Sequence, residues 1–274
     1  MTSSTGAFPQ LHQDDVQHRY QAISRDCRYG HYVRIPERIC LCLDYFKVGC
    51  DRQAVKERLR AYYLFIGVAD DAIDSSQLET GRIILQQLEE PNPRFDDRTR
   101  ESDAGLVTEI LKCHISSGAH PEILARLQEL FRAVMDERRS TTMTAYIKQR
   151  KRIGHLTAEI SFLLIRPLFR HEHVGLRPFL QRVGEVGCLL DSLIDLRADA
   201  RLGLVGFRPG INEHFELMRP LLREGFGILL GHMRLMGLFL EAIVDNLRDF
   251  RFRVAGQPGA SMSIAATAVP ERAV

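Results

Sequence analysis

Two groups of aspartates stand out for chemistry. Asp70-Asp71-Ala72-Ile73-Asp74 closes a run, Ala61-Tyr62-Tyr63-Leu64-Phe65-Ile66-Gly67-Val68-Ala69, that is apolar on every side of a helix. Asp70 and Asp74, four residues apart, stack on one helical face, with Asp71 about 100° further round. The second group is Asp191, Asp195 and Asp199, at successive steps of four among Leu189, Leu190, Leu193, Ile194 and Leu196. Its carboxylates are separated by about 6 Å of helical rise. Two carboxylates at that spacing repel by roughly 3 kcal/mol at an effective dielectric of 20. A whole domain is stable by only about 5–15 kcal/mol. The repulsion calls for a cation, or for aspartates that stay protonated. Hard oxygen donors favour Mg²⁺, with one or two carboxylates completed by water and substrate phosphate. The alternative is structural: the aspartates pair with arginines such as Arg197 and Arg201 on a solvated face.

Both groups need helices to hold them, and the sequence supplies little else. Period-two strand signals closed by Asn-Gly or Asp-Gly are absent, so the chain reads as all-α. Breaks at Glu90–Gly105, Ser116–Pro121, Gly203–Asn212 and His171–Arg177 divide it into helices over 35–47, 51–89, 104–116, 121–139, 141–170, 177–202, 213–223 and 224–253. The second and last are long enough to kink or split. Segments 1–14 and 255–274, rich in small and polar residues, are predicted to be disordered. That leaves one helical domain over 15–254, within the size of a single domain for 274 residues.

Composition excludes several classes. Net charge is +2, which argues against a basic nucleic-acid binder. Six cysteines without a C-x-x-C pair leave zinc ribbons and thioredoxin-like sites without their basic unit. The polar start has no apolar signal region. Gly225–Leu240, interrupted by His232 and Arg234, is shorter than the roughly 20 residues of a spanning helix. A cytoplasmic protein with at most peripheral membrane contact is expected. Di-iron (Glu-x-x-His), P-loop and H-E-x-x-H motifs are all missing. Gly225–Gly231 is one residue out of step with a dinucleotide fingerprint and follows no strand, so it reads as helix packing.

Supporting residues follow from the same chemistry. Tyr146, Lys148, Arg150, Lys151 and Arg152 form a basic stretch before the second group. Arg150 and Lys148 are the candidates to clamp an anionic substrate, because guanidinium grips phosphate oxygens bidentately. Tyr62, Phe65, Tyr146, Phe162 and Phe169 are candidates to line an apolar cavity, with plain core packing as the alternative. Gly184 and Gly187 either let a substrate approach or let helices pack closely. Arg248, Arg251 and Arg253 are surface charges or closing groups.

The pattern resembles the squalene/phytoene synthase family of class I isoprenoid synthases. Tyr62 to Asp74 looks like its first aspartate-rich motif. Leu190-Asp191-Ser192-Leu193-Ile194-Asp195-Leu196-Arg197-Ala198-Asp199-Ala200-Arg201 is similar to the second, with Asp191 in place of an Asn. Gly203–Pro209 resembles the segment that follows, and Tyr146–Gly154 the Tyr-containing helix ahead of it. The Ser-Lys-Ser-Phe-like element of the condensing enzymes is not evident; the nearest segment is Ser24-Arg25-Asp26-Cys27-Arg28-Tyr29. The resemblance implies a single-domain helical bundle with a central apolar cavity and the two acidic clusters facing each other at its mouth. It implies three Mg²⁺ ions (Mn²⁺ as the substitute) held by Asp70, Asp71, Asp74, Asp191, Asp195 and Asp199. The catalytic set would be Asp70, Asp74, Asp195, Arg150 and Tyr146; the substrate-binding set Lys148, Arg150, Tyr62, Phe65 and Phe162. The implied substrate is an allylic prenyl diphosphate of fifteen or twenty carbons, ionised and then cyclised, by a monomer or homodimer. The alternatives are head-to-head coupling of two prenyl diphosphates and a non-catalytic helical binding protein.

Overall fold

Helix boundaries follow local chemistry. Asp51 Oδ1 accepts from the amides of Gln53 (2.9 Å) and Ala54 (3.2 Å), capping the helix that carries the first acidic group. Ser102 caps on Gly105 and Thr142 on Ala145 in the same way. The computed structural model describes residues 10–74, 78–95, 102–116, 118–171, 173–201, 203 and 205–256. Among these are ten α-helices and no strand: α1 Gln10–Arg25, α2 Gly30–Tyr45, α3 Arg52–Asp74, α4 Leu78–Glu89, α5 Asp103–His114, α6 His120–Arg138, α7 Met143–Ile165, α8 Leu176–Arg201, α9 Ile211–Gly231 and α10 Met236–Gly256. Short 3₁₀ turns precede α2, follow α7 and precede α10.

The run read as apolar on every side lies in α3, which with α7 is central to the fold. In α3, Val55, Leu59, Ala61–Phe65 and Val68 are buried; in α7, Ile153, Leu156 and Ala158–Ile165. α3 is surrounded by α2, α4, α5 and α7; α7 packs against α3, α6, α8 and α9. Helices α7 and α8 meet backbone to backbone: a Cβ on Gly154 would collide with the Gly184 carbonyl, and one on Gly184 with the Gly154 carbonyl. Gly184 therefore serves close helix packing. Gly187 has nothing near it.

Several boundaries differ from the sequence expectation. Residues 10–14, expected to be disordered, are helical, and α1 precedes the first expected helix. Val16, Tyr20 and Ile23 form its apolar stripe against the core, and Arg19 pairs with Asp103 at 2.9 Å. The next helix starts at Gly30, not 35, and carries Pro36 inside it. The helix expected over 51–89 is two, α3 and α4. The break expected at 223/224 lies instead at His232. There the imidazole ring stands among Tyr45, Phe46 and Phe179, and its Nδ1 meets the Tyr45 hydroxyl at 3.1 Å. That aromatic cluster turns the chain; the local Gly225 and Gly227 do not. Residues 1–9 and 257–274, and the side chains of Arg248, Arg251 and Arg253, lie outside the described residues.

Candidate active site

Helix register brings the two acidic groups to one end of α7. Arg58 donates to the Leu164 carbonyl (2.9 Å), and Tyr63 and Ser161 share a hydrogen bond (3.0 Å). These contacts set α3 antiparallel to α7, so Asp70 arrives at the level of Arg150–Ile153. The glycine crossing sets α8 antiparallel on another side of α7. Seven residues beyond Gly184, Asp191 then meets Arg150 at 3.1 Å.

Arg150 is the centre of the arrangement. It donates to Glu137 Oε1 (3.3 Å), the Cys188 carbonyl (3.4 Å) and Asp191 Oδ2 (3.1 Å), while its Nε is buried without a hydrogen-bond partner. Burial works against its charge, and Glu137 and Asp191 hold it charged. The Tyr146 hydroxyl lies one turn earlier beside Ser192, buried and without a hydrogen bond of ordinary geometry; burial keeps it protonated.

Burial and neighbouring carboxylates act together on the acidic stripe. Burial first, then the charges of Asp195, Asp191 and Glu137, push Asp199 up to about 7 against the opposing effect of Arg150. The Cys188 thiol is pushed up to about 11, by burial first and then by Asp191, Glu137 and Asp70, against the opposing effect of Arg150. One buried group thus feels carboxylates from both α3 and α8.

The first acidic group is gripped from the N-terminal side. Gly67 leaves room for Tyr32, whose ring would stand 2.7 Å from a Cβ there, and for Tyr29. From that position Tyr32 donates to Asp70 (3.2 Å), Tyr29 to Asp71 (3.2 Å) and Arg28 to Asp71 (2.9 Å). Burial and the charge of Asp71 push the Tyr29 phenol up to about 12. Arg28 also holds Asp26, whose carboxyl is lowered by that bond. Asp70 and Asp71 are themselves exposed.

Not every candidate joins this group. Lys148 sits two residues before Arg150, on the far side of α7. It lines a separate groove of about 490 Å³ with Arg126, Lys151, Arg152, His155 and Glu185. Tyr62, Phe65 and Phe162 are buried core side chains, and neither of the two described surface grooves is lined by them. Phe162 packs on Phe169 and under the Arg177 guanidinium, which pairs with Glu159. The Asp74 side chain lies outside the described residues. Among the described residues no three His, Cys, Asp or Glu side chains form a ready metal cage.

Sequence reasoning missed Glu137, Cys188, Arg28, Tyr29 and Tyr32. Glu137 lies at the charged end of α6, where nothing local ties it to Arg150. Arg28 and Tyr29 belong to the segment nearest the missing N-terminal element, and that resemblance was the one available signal. Comparison with known proteins adds no relative: no family model matches the chain, and no curated protein or solved structure does.

Proposed function

We propose that the chain is a Mg²⁺-dependent class I isoprenoid synthase that ionises an allylic prenyl diphosphate, releases diphosphate and cyclises the carbocation. The observation that carries this reading is the common electrostatic space of two distant acidic segments: Asp70 and Asp191 both act on Cys188, and Asp199 is pushed up to about 7 beside Asp191 and Asp195. A site that gathers several carboxylates beside two buried donors without a hydrogen-bond partner, Arg150 Nε and Tyr146 OH, suits a cation together with an anionic ligand.

The donor set suits Mg²⁺. The ion takes one or two carboxylates and fills its remaining positions with water and phosphate, so a closed cage is not required. Asp70 on one side and Asp195 and Asp199 on the other would hold it. Asp71 and Asp191 serve to orient Arg28 and Arg150. When bound, the metal neutralises charge on the leaving diphosphate. Arg150, fixed by Glu137 and Asp191, would add positive charge beside the same phosphate. Substrates of fifteen or twenty carbons are the first to test.

Two outcomes decide it. Pure protein with ten-, fifteen- and twenty-carbon prenyl diphosphates and Mg²⁺ should release diphosphate and give hydrocarbon of the substrate's carbon number. Asp70→Ala and Asp195→Ala should each lower that release by about 10²-fold or more. Products of twice the carbon number would assign head-to-head coupling instead.

The pairs Arg28–Asp71 and Arg150–Asp191 favour a second reading, a helical binding protein whose aspartates are structural. It predicts no Mg²⁺-dependent diphosphate release from any of these substrates. It also predicts a lower melting temperature for the two alanine variants without metal.

A further inference from the structure

Helices α9 and α10 each carry two apolar faces, and the fold covers only one. In α9, Leu217, Leu221 and Ile228 are buried against the body. Turned away from them, Ile211, Phe215, Leu222, Phe226 and Leu230 follow one another at helical spacing and are exposed, Leu230 by 76% and Phe226 by 58%. Beyond the bend at His232, Met236, Leu240, Ile243 and Leu247 form a second exposed stripe along α10. Eleven of the fourteen exposed large apolar side chains among the described residues lie in this unit. The two helices together are long and apolar enough for a membrane span, with a bend of 108° between them.

Such a patch needs a cover. Its exposed area is on the order of 1,000 Å², above the few hundred Å² of an ordinary monomer's largest patch. It also matches the ~800 Å² that each partner contributes to a standard interface. The α9 stripe has a further property. Set antiparallel to itself about a point between Pro220 and Leu221, it places Ile211 opposite Leu230 and Phe215 opposite Phe226. The same superposition brings the exposed Glu216 of each copy within one turn of the exposed Arg223 of the other, and lays the Arg219 stem over Leu222. A groove of about 810 Å³ between α7 and α9, lined by Thr144, Ile147, Phe215, Met218 and Leu222, lies beside the stripe to receive side chains.

We infer that the exposed face of α9, with that of α10, is the interface of a two-fold symmetric homodimer in which two α9 helices pack antiparallel. A self-complementary patch is what an isologous interface requires. Light scattering and sedimentation of the full chain at micromolar concentration should give a dimer. Phe226→Glu should give a monomer with unchanged helical circular dichroism. Glu216→Arg and Arg223→Glu should each weaken the dimer by roughly two- to fivefold, and the double exchange should restore it. A wild-type monomer across this range overturns the proposal. So does a monomer that co-sediments with phosphatidylglycerol vesicles, or a dimer that Phe226→Glu leaves intact. Failure of the double exchange to restore the dimer overturns the antiparallel geometry.

Discussion

The molecule holds buried charge in two ways. On α5, Glu109 and Lys112 stand one turn apart with side chains only 2% and 1% exposed, joined at 2.9 Å. Each has one further backbone partner: Lys112 donates to the Gln87 carbonyl (3.0 Å), and Glu109 accepts from the Arg94 amide (2.5 Å). One cation meets one carboxylate, and a backbone group joins each. Beside Arg150 several carboxylates act together. A single guanidinium works at Asp199 against Asp195, Asp191 and Glu137, and Asp199 is left protonatable near neutrality. The first arrangement is a one-to-one pair that ties α4, α5 and the loop between them together. The second gathers carboxylates of α6 and α8 around one arginine.

The contrast can be broken at the one-to-one pair first. Lys112→Met leaves Glu109 buried without its cation, and we expect a loss of about 3–5 kcal/mol in urea unfolding. A loss under about 1 kcal/mol would mean that Glu109 finds water instead.

The carboxylate group beside Arg150 is tested by pH. The carboxyl of Asp199 is raised from its usual value near 3.8 to about 7 in the folded chain. Between those values the folded state binds the proton more tightly than the unfolded one, so stability is greatest at the acid side and falls as pH rises from about 4 to 7. The fall should be on the order of 2–4 kcal/mol at most. Melting curves should lose this slope in Asp199→Asn, and Mg²⁺ should flatten it in the wild type. A wild-type stability that rises steadily through this window would mean that Asp199 is neutralised.

The smallest effect is expected at the surface. Arg28→Ala removes a pair whose partners are both more than half exposed, Arg28 by 57% and Asp71 by 51%. Its cost should stay within about 1 kcal/mol and shrink further in high salt. A larger, salt-independent loss would show that Arg28 organises the α2–α3 junction.

Much of the helical body was legible because periodicity and caps are local. The apolar run ahead of Asp70 reads as a buried helix, and α3 is one. Val16, Tyr20 and Ile23 also carry a helical period, but the surrounding polar residues of α1 obscure it. The end of α9 was not legible, because the aromatic cluster of Tyr45, Phe46 and Phe179 around His232 comes from helices far away in sequence.

At the candidate site, residue types and their spacing within each helix were fixed by the chain alone. Asp191, Asp195 and Asp199 share a face because a helix repeats every 3.6 residues, whatever surrounds it. Which cations meet them is a property of packing. The Gly154–Gly184 crossing sets the register of α7 on α8 and brings Arg150, not Lys148, to Asp191. Gly67 likewise lets Tyr29 and Tyr32 close on the first acidic group. These are long-range steric decisions between backbones, and no local period records them.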